Sequence, residues 1–79
     1  MPSMKYLILD EVKPIIFVAM SHDCVAAAHG GKDHVTGAGF IGFRPGDHKL
    51  HTYGDSHSLG IGPGKDDEYL INHYLGAVE

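Results

Sequence analysis

Cysteine is almost missing from this chain. Cys24 is the single thiol in 79 residues, so no intramolecular disulfide can form and a cysteine-based zinc site lacks its ligands. Positive charge is also scarce. Six Lys and Arg stand against ten Asp and Glu, giving a net charge of −4 with the histidines neutral. Lys5, Lys13, Lys32, Arg44, Lys49 and Lys65 are scattered singly. Without a basic stripe to displace counterions from phosphates, general nucleic-acid binding is not expected, though a local pocket for one small anion remains open. Long apolar runs are lacking too. The longest, Ile15 to Met20, is strand-sized and far short of the roughly 20 residues that span a bilayer. No basic stretch precedes an apolar one of signal-peptide length at the N-terminus. The expected location is cytoplasmic, which suits one free thiol, and no membrane partner is expected.

A chain this short buries only about 60% of the surface its unfolded form exposes. Such a core supplies roughly 3–5 kcal/mol unless something else holds the fold. With disulfides excluded, the sequence points to one domain over residues 1–79 that associates as a homo-oligomer.

Met4 to Leu9 carries apolar residues on both faces, as in a strand covered on both sides. Asp10, Glu11 and Lys13-Pro14 interrupt it with turn chemistry, and Ile15 to Val18 resume as a β-branched run. The tight connection predicts an antiparallel pair. Ser21 stands as a helix N-cap with Asp23 in the first turn, and Met20 and Val25 occupy the positions of a hydrophobic staple. Val25 to Ala28 extend a short helix that Gly30-Gly31 close. In Val35 to Phe43, Ala38 and Phe40 point one way and Ile41 and Phe43 the other. Gly37, Gly39 and Gly42 lie between them, and a strand holds such glycines where it bulges or where another backbone comes close. Residues 44–48 read as a hairpin turn and Lys49 to Tyr53 as the returning strand. Leu59 and Ile61 can add a short edge strand. Asp66, Asp67 and Glu68 open a last helix with Leu70, Ile71, Tyr74 and Leu75 on its apolar face and Gly76 at its end. The expected fold is α+β: an antiparallel sheet of about four strands with two helices packed on it, in the order β-β-α-β-β-α.

Seven histidines stand out: His22, His29, His34, His48, His51, His57 and His73. Neutral imidazole is a common metal ligand, and His29, Asp33 and His34 flank a Gly-Gly turn, yet no spacing matches a metal motif of known geometry. Most of them read as surface or half-buried polar residues. Gly54-Asp55-Ser56 matches four residues at most of the nucleophile block of GDSL-type esterases. The chain lacks the Asp-x-x-His block those enzymes need, and the stretch reads better as a polar turn. Gly60-x-Gly62-Pro63-Gly64-Lys65 is neither a Walker A loop nor a dinucleotide fingerprint, although backbone amides there can hold an anion beside Lys65. Cys24 reads as a small packed residue. Arg44, His51 and Tyr53 sit on or beside the hairpin with Phe40. They either line a pocket that stacks a planar ligand, or Phe40 and Tyr53 form a cross-strand pair.

Val35–Ile41, Tyr53–Leu59 and Lys65–Leu75 together resemble small uncharacterised proteins of phages and prophages. The resemblance covers most of the second half and implies a phage accessory protein with an anti-defence role in the host cytoplasm. Such a role is filled by sequestering a nucleotide signal or by occluding a host protein. The residues themselves point to a non-catalytic binding module without a cofactor. Its ligand-binding surface is expected on the second hairpin and the Gly54–Gly64 loop, where loops on a rigid sheet place recognition. Arg44, His51, Tyr53, Asp55, Ser56, Ser58 and Lys65 are the candidate contacts for a small anionic ligand of the nucleotide type or for a host protein. Two alternatives stay open: a histidine-based metal-binding protein, and a structural or assembly subunit with no ligand.

Overall fold

The computed structural model describes residues 4–43, 46 and 50–74. Four strands form one antiparallel sheet: β1 (Met4–Leu9), β2 (Lys13–Phe17), β3 (Val35–Phe43) and β4 (Leu50–Tyr53), in spatial order β2-β1-β3-β4. Two helices complete the α+β fold, α1 (His22–Ala28) and α2 (Asp67–Tyr74), with a short 3-10 turn at Lys32–His34.

The first hairpin turns at Leu9-Asp10-Glu11-Val12, where Val12 N–H donates to the Leu9 carbonyl at 3.1 Å. Asp10 and Glu11 take φ of +51° and +66°, the mirror-image turn whose twist matches the flanking strands. Side chains resist that region, at about 1–2 kcal/mol per residue. The turn is held from outside: Asp10 N–H donates to the His34 carbonyl at 2.8 Å and Glu11 N–H to Thr36 Oγ1 at 2.9 Å.

Side-chain alternation along β1 divides the core. Leu7 and Leu9 pack with Val25 and Ala26 of α1, Val35 and Ala38. Tyr6 and Ile8 pack with Ile41, Leu50 and Ile71 of α2. The helices therefore cover opposite faces of the sheet, and β1 is buried on both sides as its unbroken apolar run requires. Helix α1 ends as the sequence predicts. Gly30 takes φ of +101°, and Gly31 N–H reaches back to the Ala26 carbonyl at 2.8 Å, the six-to-one bond of a glycine-closed helix. Ser21 is the N-cap residue, but its hydroxyl makes no capping bond.

After β4 the chain continues alongside β3. Gly62 accepts from Ala38 N–H at 3.2 Å, and Ser56 and Ile61 form an isolated bridge. Leu59 and Ile61 thus pack on the α1-side core as part of a tight loop, in place of the edge strand expected there. On the other side, Asn72 of α2 is buried against β4. Its amide donates to the Leu50 carbonyl at 3.0 Å and its oxygen accepts from Leu50 N–H at 2.8 Å, satisfying an outward-facing edge position. Tyr74 is exposed, in contrast to the apolar-face reading of α2, and Cys24 is exposed where a packed residue was expected. Leu75 and Gly76 lie outside the described residues. No helix among the described residues is long and apolar enough to cross a membrane.

Candidate functional site

A groove of about 410 Å³ opens where the start of α1 meets the end of β4 and the loop after it, lined by Lys5, Ser21, His22, Phe40, Tyr53, Gly54, Asp55, His57 and Ser58. Strand register explains its floor. Lys5 is the pairing partner of Phe17 on β2 and of Phe40 on β3, and Phe40 is the partner of Tyr53 on β4. Residues paired across antiparallel strands share a face, so one lysine stem lies in a row of aromatic side chains. Its Nζ donates to the Met20 carbonyl at 3.0 Å, across the mouth of α1.

His22 enters this row from α1. The residue is 5% exposed, and its ring meets Phe17 edge-on at 5.4 Å and Phe40 edge-on at 5.5 Å between centroids. Its Nε2–H donates to the Gly39 carbonyl at 2.8 Å. A carbonyl only accepts, so this nitrogen carries the proton. Phe40 and Tyr53 stack at 5.6 Å with 26° between their planes, and Tyr53 keeps 51% exposure. The two sequence readings of this pair merge: it is a cross-strand pair and it also lines the groove. Gly54 permits the turn that follows. It sits at φ of +67°, and a Cβ there would meet Phe40 Cδ1 at 3.0 Å.

The outer wall is the loop. Asp55 and His57 lie 3.5 Å apart, both largely exposed. Ser56 is buried within its turn, accepting from Leu59 N–H at 3.2 Å with its hydroxyl 3.3 Å from that of Ser58. Within this stretch the contact of His57 is with Asp55, and the Ser56 hydroxyl is taken up by the turn. The Ser21 hydroxyl first, then the backbone N–H groups of Asp23 and Cys24, and least the Ser58 hydroxyl hold the Asp23 carboxyl below the usual carboxylate range.

Of the seven candidate contacts, the structure brings Tyr53, Asp55 and Ser58 together. Ser56 supports their loop from beneath. His51 is bound to Glu68 of α2 at 3.2 Å and is not among the groove's walls. Lys65 lines a separate cavity on the α2 side of the sheet. Arg44 lies outside the described residues, as does most of the turn expected at 44–48. Lys5, Ser21 and His22 were missed as site residues. Lys5 had a signal only in register, since it faces Phe40 across two strands 35 residues apart. Among the described residues, no three His, Cys, Asp or Glu side chains converge as a metal-binding group. His34 instead donates from Nδ1 to Asp10 at 3.1 Å.

Chemically, the groove offers a stacked aromatic surface, one lysine ammonium with an imidazole at the rim, and one carboxylate beside exposed hydroxyls. Compared with protein-family models, with curated proteins and with solved structures, the chain finds no match in any of the three.

Proposed function

We propose that the protein is a non-catalytic binding module whose groove holds a small planar ligand bearing an anionic group, of the nucleotide type. The observation that carries this reading is the half-exposed Tyr53 ring, stacked on Phe40 and facing the same row as Lys5. A volume of about 410 Å³ falls within the 300–1,000 Å³ typical of small-molecule sites. In this reading the ligand's ring stacks on Tyr53, its anionic group meets Lys5 and His57, and ring N–H donors are accepted by Asp55. Stacking of a base on an aromatic side chain contributes about 1–3 kcal/mol, which makes Tyr53 the largest single contributor.

Native mass spectrometry on gently purified protein reads any retained organic mass and the subunit count together. Calorimetric titration with mono- and dinucleotides then tests the site. Tyr53→Ala is expected to weaken binding about ten- to hundredfold, and Lys5→Ala to weaken it in a salt-dependent way. Unchanged affinity in both variants, with the fold intact by circular dichroism, would place the ligand elsewhere.

A further inference from the structure

The second cavity lies on the opposite face of the sheet and belongs to no part of the groove. It measures about 260 Å³ and is lined by Ile8, Glu11, Thr36, Gly64, Lys65, Asp66, Asp67 and Leu70. Its defining group is Asp67, a carboxylate that is 3% exposed. Both of its hydrogen bonds fall on one oxygen: Tyr6 Oη donates to Oδ2 at 2.7 Å and Gly64 N–H donates to Oδ2 at 2.7 Å. Oδ1 takes no hydrogen bond from any described residue, and it is not sealed from solvent. Oδ1 thus opens on the cavity as an acceptor that no described donor occupies.

The rest of the wall fits a cation. Glu11 and Asp66 have no ion-pair partner among the described residues, and the lining carries three carboxylates against the single ammonium of Lys65. The β1–β3 register slips at Thr36, where Ile8 pairs with Gly37 but Leu9 with Val35, and such bulges re-aim a side chain. Thr36 Oγ1 donates to the Ile8 carbonyl at 3.3 Å and accepts from Glu11 N–H at 2.9 Å, leaving one lone pair for a further donor. Ile8 and Leu70 supply an apolar wall. The acidic side chains do not converge tightly enough to hold a bare metal ion, whereas an ammonium spreads three N–H donors over a wider cup. The volume, about 260 Å³, is a little below that of ordinary ligand pockets and accommodates one chain end with its alkyl stem.

We infer that this cavity receives a single alkylammonium group, with its N–H bonds on Asp67 Oδ1, Glu11 and Thr36 and its alkyl stem on Ile8 and Leu70. The group can come from a free small amine or from a lysine side chain of a partner protein.

The test is titration of the ¹⁵N-labelled full chain with n-butylammonium at low ionic strength, followed by amide shifts. Saturable shifts at Glu11, Thr36, Gly64 and Asp67 are expected, with none from uncharged n-butanol. Asp67→Asn is expected to weaken binding at least about tenfold. Because that variant touches the core, Glu11→Gln on the exposed turn is the second probe, expected to weaken binding about threefold or more without disturbing the fold. Shifts of equal size with butanol, no saturation, or unchanged affinity in Glu11→Gln overturns the inference. Capped lysine, Nα-acetyl-lysine methylamide, separates the sources: tighter binding than butylammonium supports a protein side chain, and looser binding supports a free amine.

Discussion

The two faces of the sheet use their polar groups differently. On the α2 face, the buried polar side chains bond within the fold. Tyr6 donates to Asp67, Asp67 accepts from Gly64, and Asn72 satisfies both backbone groups of Leu50. On the α1 face, the helix has seven residues, much of them alanine. Its attachment there includes one histidine inserted between aromatic rings. Around that histidine the groove leaves a tyrosine, a lysine and a carboxylate open. Polar groups tied down in the interior fix one packing, and removing a partner from them is costly. Groups left at the rim cost little and remain available to a ligand. The comparison implies that the α2 face carries most of the buried polar bonding that fixes the fold, while the α1 face presents the larger groove.

The largest effect is expected from Gly37→Val. A Cβ at Gly37 would run into the Asp67 carboxylate, with Asp67 Oδ1 at 2.7 Å. The carboxylate must then leave the sheet and abandon Tyr6. Stranding two buried polar groups costs about 1–3 kcal/mol each, comparable to all the stability expected of a domain this size. Urea denaturation should find the variant largely unfolded. Gly62→Ala is the matched control, because its Cβ meets only Asp55 Cβ at an ordinary 3.5 Å. If the two variants behave alike, Asp67 does not occupy the sheet and the contrast between the faces fails.

Tyr6→Phe is a milder break, removing one hydrogen bond to a buried carboxylate at a cost of about 1.5–3 kcal/mol. It also carries a pH signature. Burial, and then the Asp67 hydrogen bond and charge, push the Tyr6 phenol far above the ordinary tyrosine range. A group whose folded pKa is raised stabilises the fold fully below its unfolded pKa and loses that contribution as pH rises beyond it. Stability should therefore fall above about pH 10, the ordinary tyrosine value. Urea midpoints measured across that range should show the fall in the parent chain and a shallower one in Tyr6→Phe. Parallel curves would mean that the phenol ionises freely.

Much of this fold was legible in the sequence because short-range chemistry dictates it. The Asp10-Glu11 break, the Gly30-Gly31 helix end and the alternation in Val35 to Phe43 each act within a few residues. The glycines of β3 announced close approaches, and Gly39 does sit under the Tyr53 and Gly54 carbonyls. What comes close to Gly37 is a carboxylate 30 residues further on, and no local pattern specifies that. Asp67 read only as part of the acidic start of the last helix, when its carboxylate also accepts from Tyr6, 61 positions away. The candidate site was legible where one strand end and its loop carry it, at Tyr53, Asp55 and Ser58. It dissolved where residues adjacent in sequence separate in space, as with His51 and Lys65. Lys5 and His22 were hidden because only the β1–β3 pairing and the seating of α1 bring them to the same groove.

The smallest effect sharpens the comparison at the groove itself. Asp23 is exposed, and its carboxyl is held below the usual range first by the Ser21 hydroxyl, then by the backbone N–H groups of Asp23 and Cys24, and least by the Ser58 hydroxyl. A lowered pKa contributes stability above the unfolded value that is lost as pH falls through the folded one. At an exposed site solvent screens most of it, so thermal stability should barely register the change. The carboxyl carbon should register it clearly. In a ¹³C-detected titration, Ser21→Ala should move the Asp23 midpoint up toward the ordinary aspartate value, and Ser58→Ala should move it up by less. Ser58 lines the groove and Asp23 belongs to α1, so the smaller shift reads whether the loop closes on the helix in solution. An unmoved midpoint in Ser58→Ala would mean that the outer wall stands away from α1. The groove would then be an open shelf, and stacking on Tyr53 alone would have to hold a ligand.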